Sequence, residues 1–443
     1  MKKSTAILGA GMAGYGAAYQ LDQEGISSIT YEQDPHYGGH TASFTTSSGF
    51  VFDEGPHVSF TSDQEVKDIF AEAVDQSYEV VQAKFNNYWK GYWIKHPAQV
   101  NLHGLPEDLL VPVVRDFFEA YHTPTNPEEV NNFEEWLIAS YGETFAKTFP
   151  MVYGRKYHTT EAANMSTDWL GERLYTPDPD ELLHGLLSPT TPNVHYVDKF
   201  RYPKEGGFMS YLSKFPTFEH NTLKTSHCVT TIDPVQRLIT FEDGAQVEHD
   251  HIISSIPLPS LIPMIEGVPS DVLEASQQLA CTTCVIVSLG IDRADLSDAH
   301  VSYFYDPDVS YSRISFPHMF ASSNAPEGMG SIQAEVYFSD KYKPLDRSAD
   351  SLIPVVVKDL IQTGILKEDD QIVDQDARII PYANVIFDLE RADALEVIHG
   401  YLDDVGIAYC GRYGDWAYIW TDQSFRSGQR AAQTTLKHEA KAA

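Results

Sequence analysis

The feature that most constrains this chain is a glycine pattern near its start, Gly9-x-Gly11-x-x-Gly14. It follows a short apolar stretch at residues 5–8 and runs directly into a helical pattern. Gly9 permits a tight turn, Gly11 lets the backbone approach a pyrophosphate, and Gly14 lets the helix pack closely on the strand. The helix N-terminus then offers N–H groups to an anion. The pattern therefore predicts a strand, turn and helix that bind a dinucleotide.

An acidic residue at the end of the next strand pattern supports this prediction. The stretch Ser28-Ile29-Thr30-Tyr31 is followed by Glu32, which lies 18 residues past Gly14. A spacing of about 20 is expected for the acid that binds a ribose 2′-hydroxyl. A lone glycine fingerprint is weak evidence, but here strand, helix, second strand and acid occur in order. A glycine pair, Gly38 and Gly39, follows and permits another close backbone approach to a cofactor.

The composition indicates an acidic globular protein. The 443 residues are enough for two or three structural units. No apolar run reaches the roughly 20 residues that span a membrane. The 31 basic and 63 acidic residues give a formal charge of −32, so we expect the surface to repel nucleic acid and anionic lipid. Glycines interrupt the apolar start that could resemble a signal peptide, and a cytoplasmic location is expected.

Four cysteines are too few for a disulfide scaffold. Cys281 and Cys284 have the CxxC spacing of a redox or zinc pair, but no second pair of Cys or His accompanies them. They also open a β-like run at residues 285–289. We interpret them as structural residues and expect no metal site.

A loop that follows the glycine pair carries the first family resemblance. The order of elements up to Gly55-Pro56-His57 resembles the start of the flavoprotein superfamily of amine oxidases, protoporphyrinogen oxidase and UDP-galactopyranose mutase. NAD-dependent dehydrogenases share the glycine fingerprint but lack the second glycine pair and this loop. The resemblance therefore implies FAD. It also implies that His57 lies beside the flavin ring.

The C-terminal region resembles the flavin motif of the mutases in that superfamily. Gly411-Arg412 begins the pattern Gly-Arg-aromatic-Gly-x-Trp-x-Tyr, and Arg412 would contact the FAD pyrophosphate. Thr421 or Asp422 would cap a final helix whose positive end points at the flavin. Cys410 is not placed like the cysteine that tethers flavin in monoamine oxidases, so noncovalent FAD is expected. The residues expected to bind the cofactor are Gly9, Gly11, Met12, Ala13, Gly14, Glu32, Gln33, Gly38, Gly39, His40, Gly55, Pro56, His57, Val229, Gly411, Arg412, Asp422, Gln423 and Ser424.

A second set of motifs resembles the eukaryotic-type branch of UDP-galactopyranose mutases. The run Trp169-Leu170-Gly171-Glu172-Arg173 and an arginine after a Tyr-Phe pair, Arg313, recur there in order. The resemblance implies that the two arginines hold a diphosphate and that reduced flavin acts as a nucleophile through N5, with NAD(P)H as a reductant. It assigns catalytic roles to His57, Arg173 and Arg313. The implied substrate-binding residues are Gln99, Trp169, Tyr303, Tyr382 and Tyr418.

The chain departs from the mutase pattern in two places. His96 and Ala98 stand where the mutases have aromatic residues that stack on uracil. The polar run before the last helix becomes Trp420-Thr421-Asp422-Gln423. The diphosphate-binding residues are therefore retained, and the nucleobase pocket is altered.

The predicted fold is α/β, a Rossmann-like FAD-binding domain with an inserted helical domain and a β-sheet substrate domain. An amphipathic helix is predicted over 63–74 and an aromatic hairpin over 87–102. The predicted division is 1–80 (first part of the FAD domain), 81–198 (mainly helical substrate domain), 199–260 (mixed, returning to the FAD domain), 261–385 (β-sheet substrate domain) and 386–443 (C-terminal part of the FAD domain).

Three functions remain open from the sequence. The first is a sugar-nucleotide mutase acting on an anionic small molecule. The second is a FAD-dependent oxidase or desaturase acting on an amine, a porphyrinogen-like ring or a polyketide, which the abundance of aromatic residues favours. The third is a binding protein with a degenerate flavin site, which the intact glycine motifs disfavour. The sequence does not indicate the oligomeric state.

Overall fold

The computed structural model describes residues 5–126, 129–171 and 174–442, with side chains up to Lys437. The strands in these ranges are β1 (Thr5–Leu8), β2 (Ser28–Tyr31), β3 (Ser43–Thr45), β4 (Val51–Asp53), β5 (Tyr78–Gln82), β6 (Phe85–Trp89), β7 (Tyr92–Lys95), β8 (Lys199–Pro203), β9 (Asn221–Lys224), β10 (Val229–Asp233), β11 (Leu238–Phe241), β12 (Gln246–Glu248), β13 (His251–Ser254), β14 (Cys281–Ile291), β15 (Val301–Phe304), β16 (Arg313–Ser315), β17 (Gly330–Phe338), β18 (Ile372–Val385) and β19 (Ile407–Tyr409). The helices are α1 (Met12–Gln23), α2 (Gln64–Ala73), α3 (Glu107–His122), α4 (Phe133–Tyr141), α5 (Glu143–Thr148), α6 (Pro150–His158), α7 (Pro179–Leu187), α8 (Leu258–Met264), α9 (Ser270–Gln278), α10 (Ile353–Gln362), α11 (Arg391–Val405), α12 (Gly411–Gly414) and α13 (Thr421–Ala442).

A parallel sheet carries the glycine fingerprint. Its order is β19-β13-β1-β2-β9, and every neighbouring pair is parallel. The central strand β1 is wholly buried, as expected for a parallel sheet covered on both faces. This is the Rossmann-like half of the α/β fold that the sequence predicts. Its strands come from both ends of the chain, since β19 and β1 lie in the same sheet.

Small residues bring the first and last helices of this half into close contact. A Cβ added at Gly16 of α1 would overlap the backbone of Phe425 in α13. A Cβ at Gly428 of α13 would overlap the backbone of α1 at Ala13. The final helix is therefore fixed directly against the helix that follows the glycine turn, which places its first residues near the same turn.

A larger sheet forms the second half of the molecule. Its order is β18-β14-β17-β16-β15-β6-β7, and its pairs are antiparallel except for β6 with β15. The predicted aromatic hairpin is therefore present as β6 and β7, and it extends this sheet. Cys281 and Cys284 lie three residues apart on β14 as free thiols. Side chains at this spacing point to opposite faces of a strand.

The helical layer, α3 to α7, follows the hairpin in the chain and packs its apolar faces into one core cluster with Ile94, Leu102 and Tyr305. The predicted helix over 63–74 is observed as α2, with the side chain of Asp63 accepting the N–H of Val66 as an N-cap. The division into five segments stays a prediction. None of the described helices has the length and apolar character needed to cross a membrane.

Candidate active site

A cavity of about 1050 Å³ begins at the glycine turn and extends to Arg313 of the large sheet. We call it the outer cavity. Its walls include the ends of β1, β2 and β13 and residues of β14, β17 and β18. The ends of parallel strands in such a sheet are where ligands bind in open α/β folds.

The glycine turn has the geometry that a pyrophosphate needs. Gly9 has φ +100°, a conformation that side-chain-bearing residues rarely adopt. A Cβ at Gly14 would overlap the carbonyl oxygen of Gly9, so only glycine allows the helix to pack this closely. Gly11 is the N-cap of α1, and among the described residues there is no side-chain cap hydrogen bond at this end and no acid in the first turn. The first N–H groups of the helix are available to an anion.

Glu32 closes the opposite side of the turn. One carboxylate oxygen accepts the N–H of Ala10 at 2.7 Å and the other accepts the N–H of Asp34 at 3.0 Å. Burial raises the pKa of Glu32, although these backbone donors act against that shift. The acid is thereby fixed at the wall of the outer cavity, directly after β2, where the sequence predicts a ribose-binding carboxylate.

A second close approach of backbone occurs at the glycine pair. Gly38 has φ +116° and Gly39 has φ +52°. The N–H of Gly38 donates to the carbonyl of Ala10 at 2.9 Å, and a Cβ at Gly39 would press on Gly11. The two glycine segments therefore pack against each other and together form a backbone-lined channel in the wall of the outer cavity.

His57 occupies the loop beside this channel. Its Nδ1 lies 2.9 Å from the carbonyl oxygen of Gly55. A carbonyl can only accept, so Nδ1 carries the proton and Nε2 is left as an acceptor. Burial lowers the pKa of His57 to about 3, and the nearby charge of Arg412 acts in the same direction. His57 is thus a neutral imidazole on the wall of the outer cavity.

Arg412 supplies a positive charge to the outer cavity. Its Nε and Nη2 donate to the carbonyl of Ile419 at 3.0 and 2.6 Å. Further contacts at 3.4 Å reach the carbonyl of Ala383 and Oδ1 of Asn384. Within the described part of the chain, these partners are all neutral oxygens. The guanidinium keeps its charge available for an anion such as the expected pyrophosphate.

Most of the residues expected to bind the cofactor line the outer cavity. The predicted residues that line it are Gly9, Gly11, Met12, Ala13, Glu32, Gln33, Gly38, Gly39, His40, Gly55, Pro56, His57, Val229, Gly411, Arg412 and Ser424. Gly14, Asp422 and Gln423 do not lie on the wall. Gly14 acts one layer behind it by packing on Gly9, and the side chain of Gln423 accepts the N–H of Trp420 at 3.0 Å.

The first residues of α13 also face this cavity. The helix begins at Thr421, and Thr421 and Ser424 lie on the cavity wall. The sequence predicts a cap at Thr421 or Asp422, whereas the capping contact is the one between Gln423 and Trp420, one residue earlier. The glycine segments, the fixed acid Glu32, the N-terminus of α1 and Arg412 together fit FAD.

A second, smaller cavity of about 190 Å³ lies behind one wall of the first. We call it the inner chamber. It is lined mainly by aromatic residues of the helical layer, which include Phe133, Tyr141, Phe145, Tyr153 and Trp169. The two cavities share the following residues as a common wall: Tyr157, His195, Tyr196, Tyr303, Arg313 and Tyr418.

Arg313 is the cation of this common wall. Its Nε and Nη2 each donate to one carboxylate oxygen of Glu335 at 2.9 Å. The Glu335 side chain is only 3% exposed and that of Arg313 is 23% exposed. Burial alone would lower the pKa of Arg313, but the charge of Glu335 outweighs it and raises that pKa. This two-point ion pair fixes the guanidinium and leaves Nη1 outside the pair.

Tyrosine hydroxyls surround this ion pair. Tyr157 and Tyr418 share a hydrogen bond of 2.9 Å between their hydroxyls, and Tyr337 donates to Glu335 at 2.6 Å. Tyr153 stacks on Tyr157, with ring centroids 5.5 Å apart. Burial raises the pKa of Tyr153, Tyr157 and Tyr303. These phenols therefore stay protonated at neutral pH and can donate hydrogen bonds to an anion.

The remaining residues of the sequence prediction lie in different places. Gln99 and Trp169 line the inner chamber. The amide of Gln99 donates to the carbonyl of Tyr175 at 3.3 Å. Tyr382 lines the outer cavity, and its hydroxyl is 2.7 Å from Ser260 Oγ. Arg173 lies outside the described residues.

The sequence prediction did not select several residues of the wall and its support, which are Tyr153, Tyr157, His195, Tyr196, Glu335 and Tyr337. Tyr153 and Tyr157 are four residues apart on α6, a spacing that places both on one helix face. Glu335 is the acid of an otherwise uncharged strand, β17, and Arg313 is its cross-strand partner. A lone acid in a buried strand is the signal that could have identified this pair.

Comparisons with known proteins agree with this geometry. The sequence profile of the family described as flavin containing amine oxidoreductase matches residues 12–436. A structure of reduced UDP-galactopyranose mutase is similar with a TM-score of 0.92 and 27% identity, covering 98% of this chain and 96% of that one.

Two further structures share the fold at lower identity. A CLA-producing fatty acid isomerase from P. acnes has a TM-score of 0.66 and 15% identity, covering 98% of each chain. Wild-type putrescine oxidase bound to putrescine has a TM-score of 0.66 and 16% identity, covering 99% of each chain. These two support the fold alone. Because the matched profile covers almost the whole chain, the protein belongs to the flavin containing amine oxidoreductase family and is a FAD-dependent enzyme.

Proposed function

We propose that this flavoenzyme is a nucleotide-sugar mutase, which isomerises the sugar of a nucleoside diphosphate sugar without net oxidation. The observation that carries the proposal is Arg313, a partly buried arginine fixed by the buried Glu335 on the wall between the outer cavity and the inner chamber. If the diphosphate of such a substrate binds at Arg313, one end of the substrate extends into the outer cavity, toward the flavin, and the other end extends into the inner chamber. The similarity to reduced UDP-galactopyranose mutase supports the same proposal.

In this proposal the wall residues hold and stabilise a diphosphate. Nη1 of Arg313, the hydroxyl of Tyr303, and whichever hydroxyl of the Tyr157–Tyr418 pair accepts in their shared hydrogen bond would donate hydrogen bonds to its oxygens. Negative charge grows on the diphosphate as its bond to the sugar breaks, and fixed donors in a dry site stabilise such charge strongly. Arg173, outside the described residues, is proposed as a second guanidinium, and Tyr382 as a further substrate contact.

The outer cavity is proposed to hold noncovalent FAD through its glycine channel, Glu32 and Arg412. Bound and reduced FAD supplies a nucleophilic nitrogen, N5. His57, as a neutral imidazole with Nε2 free to accept, would orient a hydroxyl of the sugar or an N–H of the ring system next to it. NAD(P)H is proposed as the source of electrons.

An oxidase acting on an amine or a neutral ring is the second candidate. The aromatic lining of the inner chamber favours it, because aromatic walls suit apolar and cationic groups. It gives no role to Arg313, however, and it requires net transfer of electrons from the substrate.

A product assay separates the two candidates. We would incubate the oxidised and the dithionite-reduced holoenzyme, without oxygen, with UDP-galactopyranose, UDP-galactofuranose and a panel of other nucleotide sugars. The mutase proposal predicts a new isomer from at least one sugar with reduced enzyme only. Absence of any isomer, together with oxygen consumption driven by an amine or ring substrate, would overturn it. A separate anaerobic titration with NADH and NADPH, followed by the loss of flavin absorbance, tests the electron donor.

A further inference from the structure

The inner chamber contains a histidine that the sequence prediction did not select. His158 is the last residue of α6 and lines the chamber. It is only 5% exposed, and its Nδ1 is buried without a hydrogen-bond partner. Buried polar atoms of native proteins are nearly always paired, so an unpaired one needs an explanation.

The surroundings of His158 fix its ring in place. Tyr157 packs edge-on against it with centroids 4.9 Å apart, and Trp169 does so at 5.2 Å. Burial lowers the pKa of His158 to about 3. The ring is thus a neutral imidazole, held by aromatic contacts, which can accept one hydrogen bond and donate another.

Three other polar groups of the chamber wall already have partners. Tyr141 donates to the carbonyl of Tyr175 at 2.9 Å, and the amide of Gln99 donates to the same carbonyl. The indole N–H of Trp169 donates to the carbonyl of Ser166 at 3.0 Å. The imidazole of His158 is therefore a polar group of this wall that a bound molecule can satisfy.

The size of the chamber limits what that molecule can be. Its volume of about 190 Å³ equals that of about six water molecules in the liquid, which suits one small ring system. The common wall separates it from the outer cavity, where the flavin and the reacting sugar are proposed to lie. A diphosphate held at Arg313 would leave the nucleoside as the half that enters the chamber.

We propose that His158 is a specificity-determining residue that hydrogen-bonds the nucleoside half of the substrate through Nδ1. This inference rests on the proposed function. It adds a nucleoside site in which a neutral imidazole recognises the ligand by a hydrogen bond. Aromatic rings of the chamber provide stacking surface that accepts any base. A fixed hydrogen-bonding group discriminates more sharply, because a ligand that cannot pair with it leaves it buried and unsatisfied.

Substitutions at this position can identify the atom involved. We would measure binding of UDP, CDP, ADP and GDP to the holoenzyme by calorimetry and compare variants with the diphosphate that binds tightest. His158→Phe removes both ring nitrogens. His158→Asn retains a polar atom near the position of Nδ1, whereas His158→Gln places one near Nε2. We expect binding to weaken about tenfold in His158→Phe and His158→Gln, and less than about threefold in His158→Asn.

His318→Phe is the matched control. His318 lines neither cavity, and its ring contacts backbone atoms of Ser331 and Ala294. We expect unchanged binding, with flavin content verifying that each variant is folded. Equal affinity of His158→Phe and wild type would overturn the inference while leaving the mutase proposal intact. Equal affinity of the Asn and Gln variants would also overturn it, even if His158→Phe does not fold. Failure of wild type to bind any of the four diphosphates would contradict both proposals.

Discussion

The walls of the outer cavity and of the inner chamber are formed by different kinds of atoms, backbone in the first and side chains in the second. The outer cavity is shaped by backbone: two glycine segments, a helix N-terminus and an acid held by two N–H groups. The inner chamber and its wall are shaped by side chains, with Arg313, Glu335 and a group of tyrosines. Backbone geometry leaves a local pattern in sequence, whereas a side-chain site is assembled from residues far apart in the chain.

The difference explains why proteins of one family can share a cofactor and differ in substrate. A glycine that a turn requires cannot be exchanged without rebuilding the turn. An aromatic wall can exchange one ring for another and keep its packing. We therefore expect the two regions to respond differently to substitution, and four predictions test this.

The largest expected effect is on the common wall. Arg313→Met leaves the buried carboxylate of Glu335 without its cation, and we expect a loss of about 3–5 kcal/mol in the free energy of unfolding. Adding Glu335→Gln in the double variant removes the unpaired charge and should recover most of that loss. Chemical denaturation of wild type and both variants measures it.

The same double variant separates stability from binding. We expect it to keep flavin but to bind UDP at least about 100-fold more weakly than wild type, because a charge-assisted contact to the diphosphate is lost. Tight UDP binding by the double variant would show that Arg313 stabilises the folded protein but does not bind the diphosphate.

The next effect is on the outer cavity. Gly14→Ala places a methyl group against the carbonyl oxygen of Gly9, and we expect destabilisation by about 1–3 kcal/mol with most flavin lost. Gly400→Ala is the control, since Gly400 lies within α11 with open space around its added Cβ. That change should stabilise the protein slightly, by about 0.4–1 kcal/mol. Flavin absorbance per protein and thermal unfolding report both, and equal flavin content in the two variants would contradict the account.

A smaller effect is expected at Glu32, the acid that the sequence predicts to bind the ribose. Each carboxylate oxygen of Glu32 accepts one backbone N–H, and in Glu32→Gln one of these oxygens is replaced by an NH₂ donor. We therefore expect the affinity for FAD to fall about tenfold. Glu24→Gln, at the exposed C-terminal end of α1, is the control and should not alter it. Fluorescence titration of the apoprotein with FAD measures both constants. An unchanged affinity in Glu32→Gln would remove this acid from the cofactor site.

The smallest effect concerns acid stability in the inner chamber. The pKa of His158 is lowered to about 3, below its ordinary value of 6.5, so the unfolded chain takes up a proton that the folded one excludes. Stability from this group is complete above pH 6.5 and declines as the pH falls toward 3. When the pH falls from 7 to 5, we expect the free energy of unfolding of His158→Asn to decrease by up to about 2 kcal/mol less than that of wild type.

Unfolding curves of the holoenzyme at the two pH values measure this difference. His103→Asn, at an exposed turn, is the control and should follow wild type. Parallel loss of stability in wild type and His158→Asn would mean that His158 is not held neutral in the folded protein.

The two regions also differ in how far sequence alone could predict them. The sequence predicts the strand, turn and helix around Gly9, the acid Glu32 and the last strand before Gly411. Each of these is a local sequence pattern that is compatible with one backbone geometry. Most of the cofactor prediction follows from that. Asp422 and Gln423 lie off the cavity wall and stay predictions, and the capping contact at Trp420 is one residue before the predicted cap residues.

The inner chamber could be predicted only in outline. Arg313 was identified by its resemblance to a motif, but its partner Glu335 becomes visible only when β16 and β17 are paired. Tyr157 reaches Tyr418 across 261 positions of sequence. His158 resembles any other histidine of a helix end until its burial and its unpaired Nδ1 are known. Such contacts depend on tertiary packing, which hydrophobic periodicity does not encode.

The most direct test of the central claim, that the reaction is redox-neutral, is the number of product molecules formed per flavin. We would reduce the holoenzyme without oxygen, remove excess reductant, add the nucleotide sugar that the product assay selects, and record product and flavin spectrum together. A redox-neutral reaction predicts many turnovers while the flavin spectrum stays reduced. Product limited to one molecule per flavin, with the flavin becoming oxidised as it forms, would contradict it.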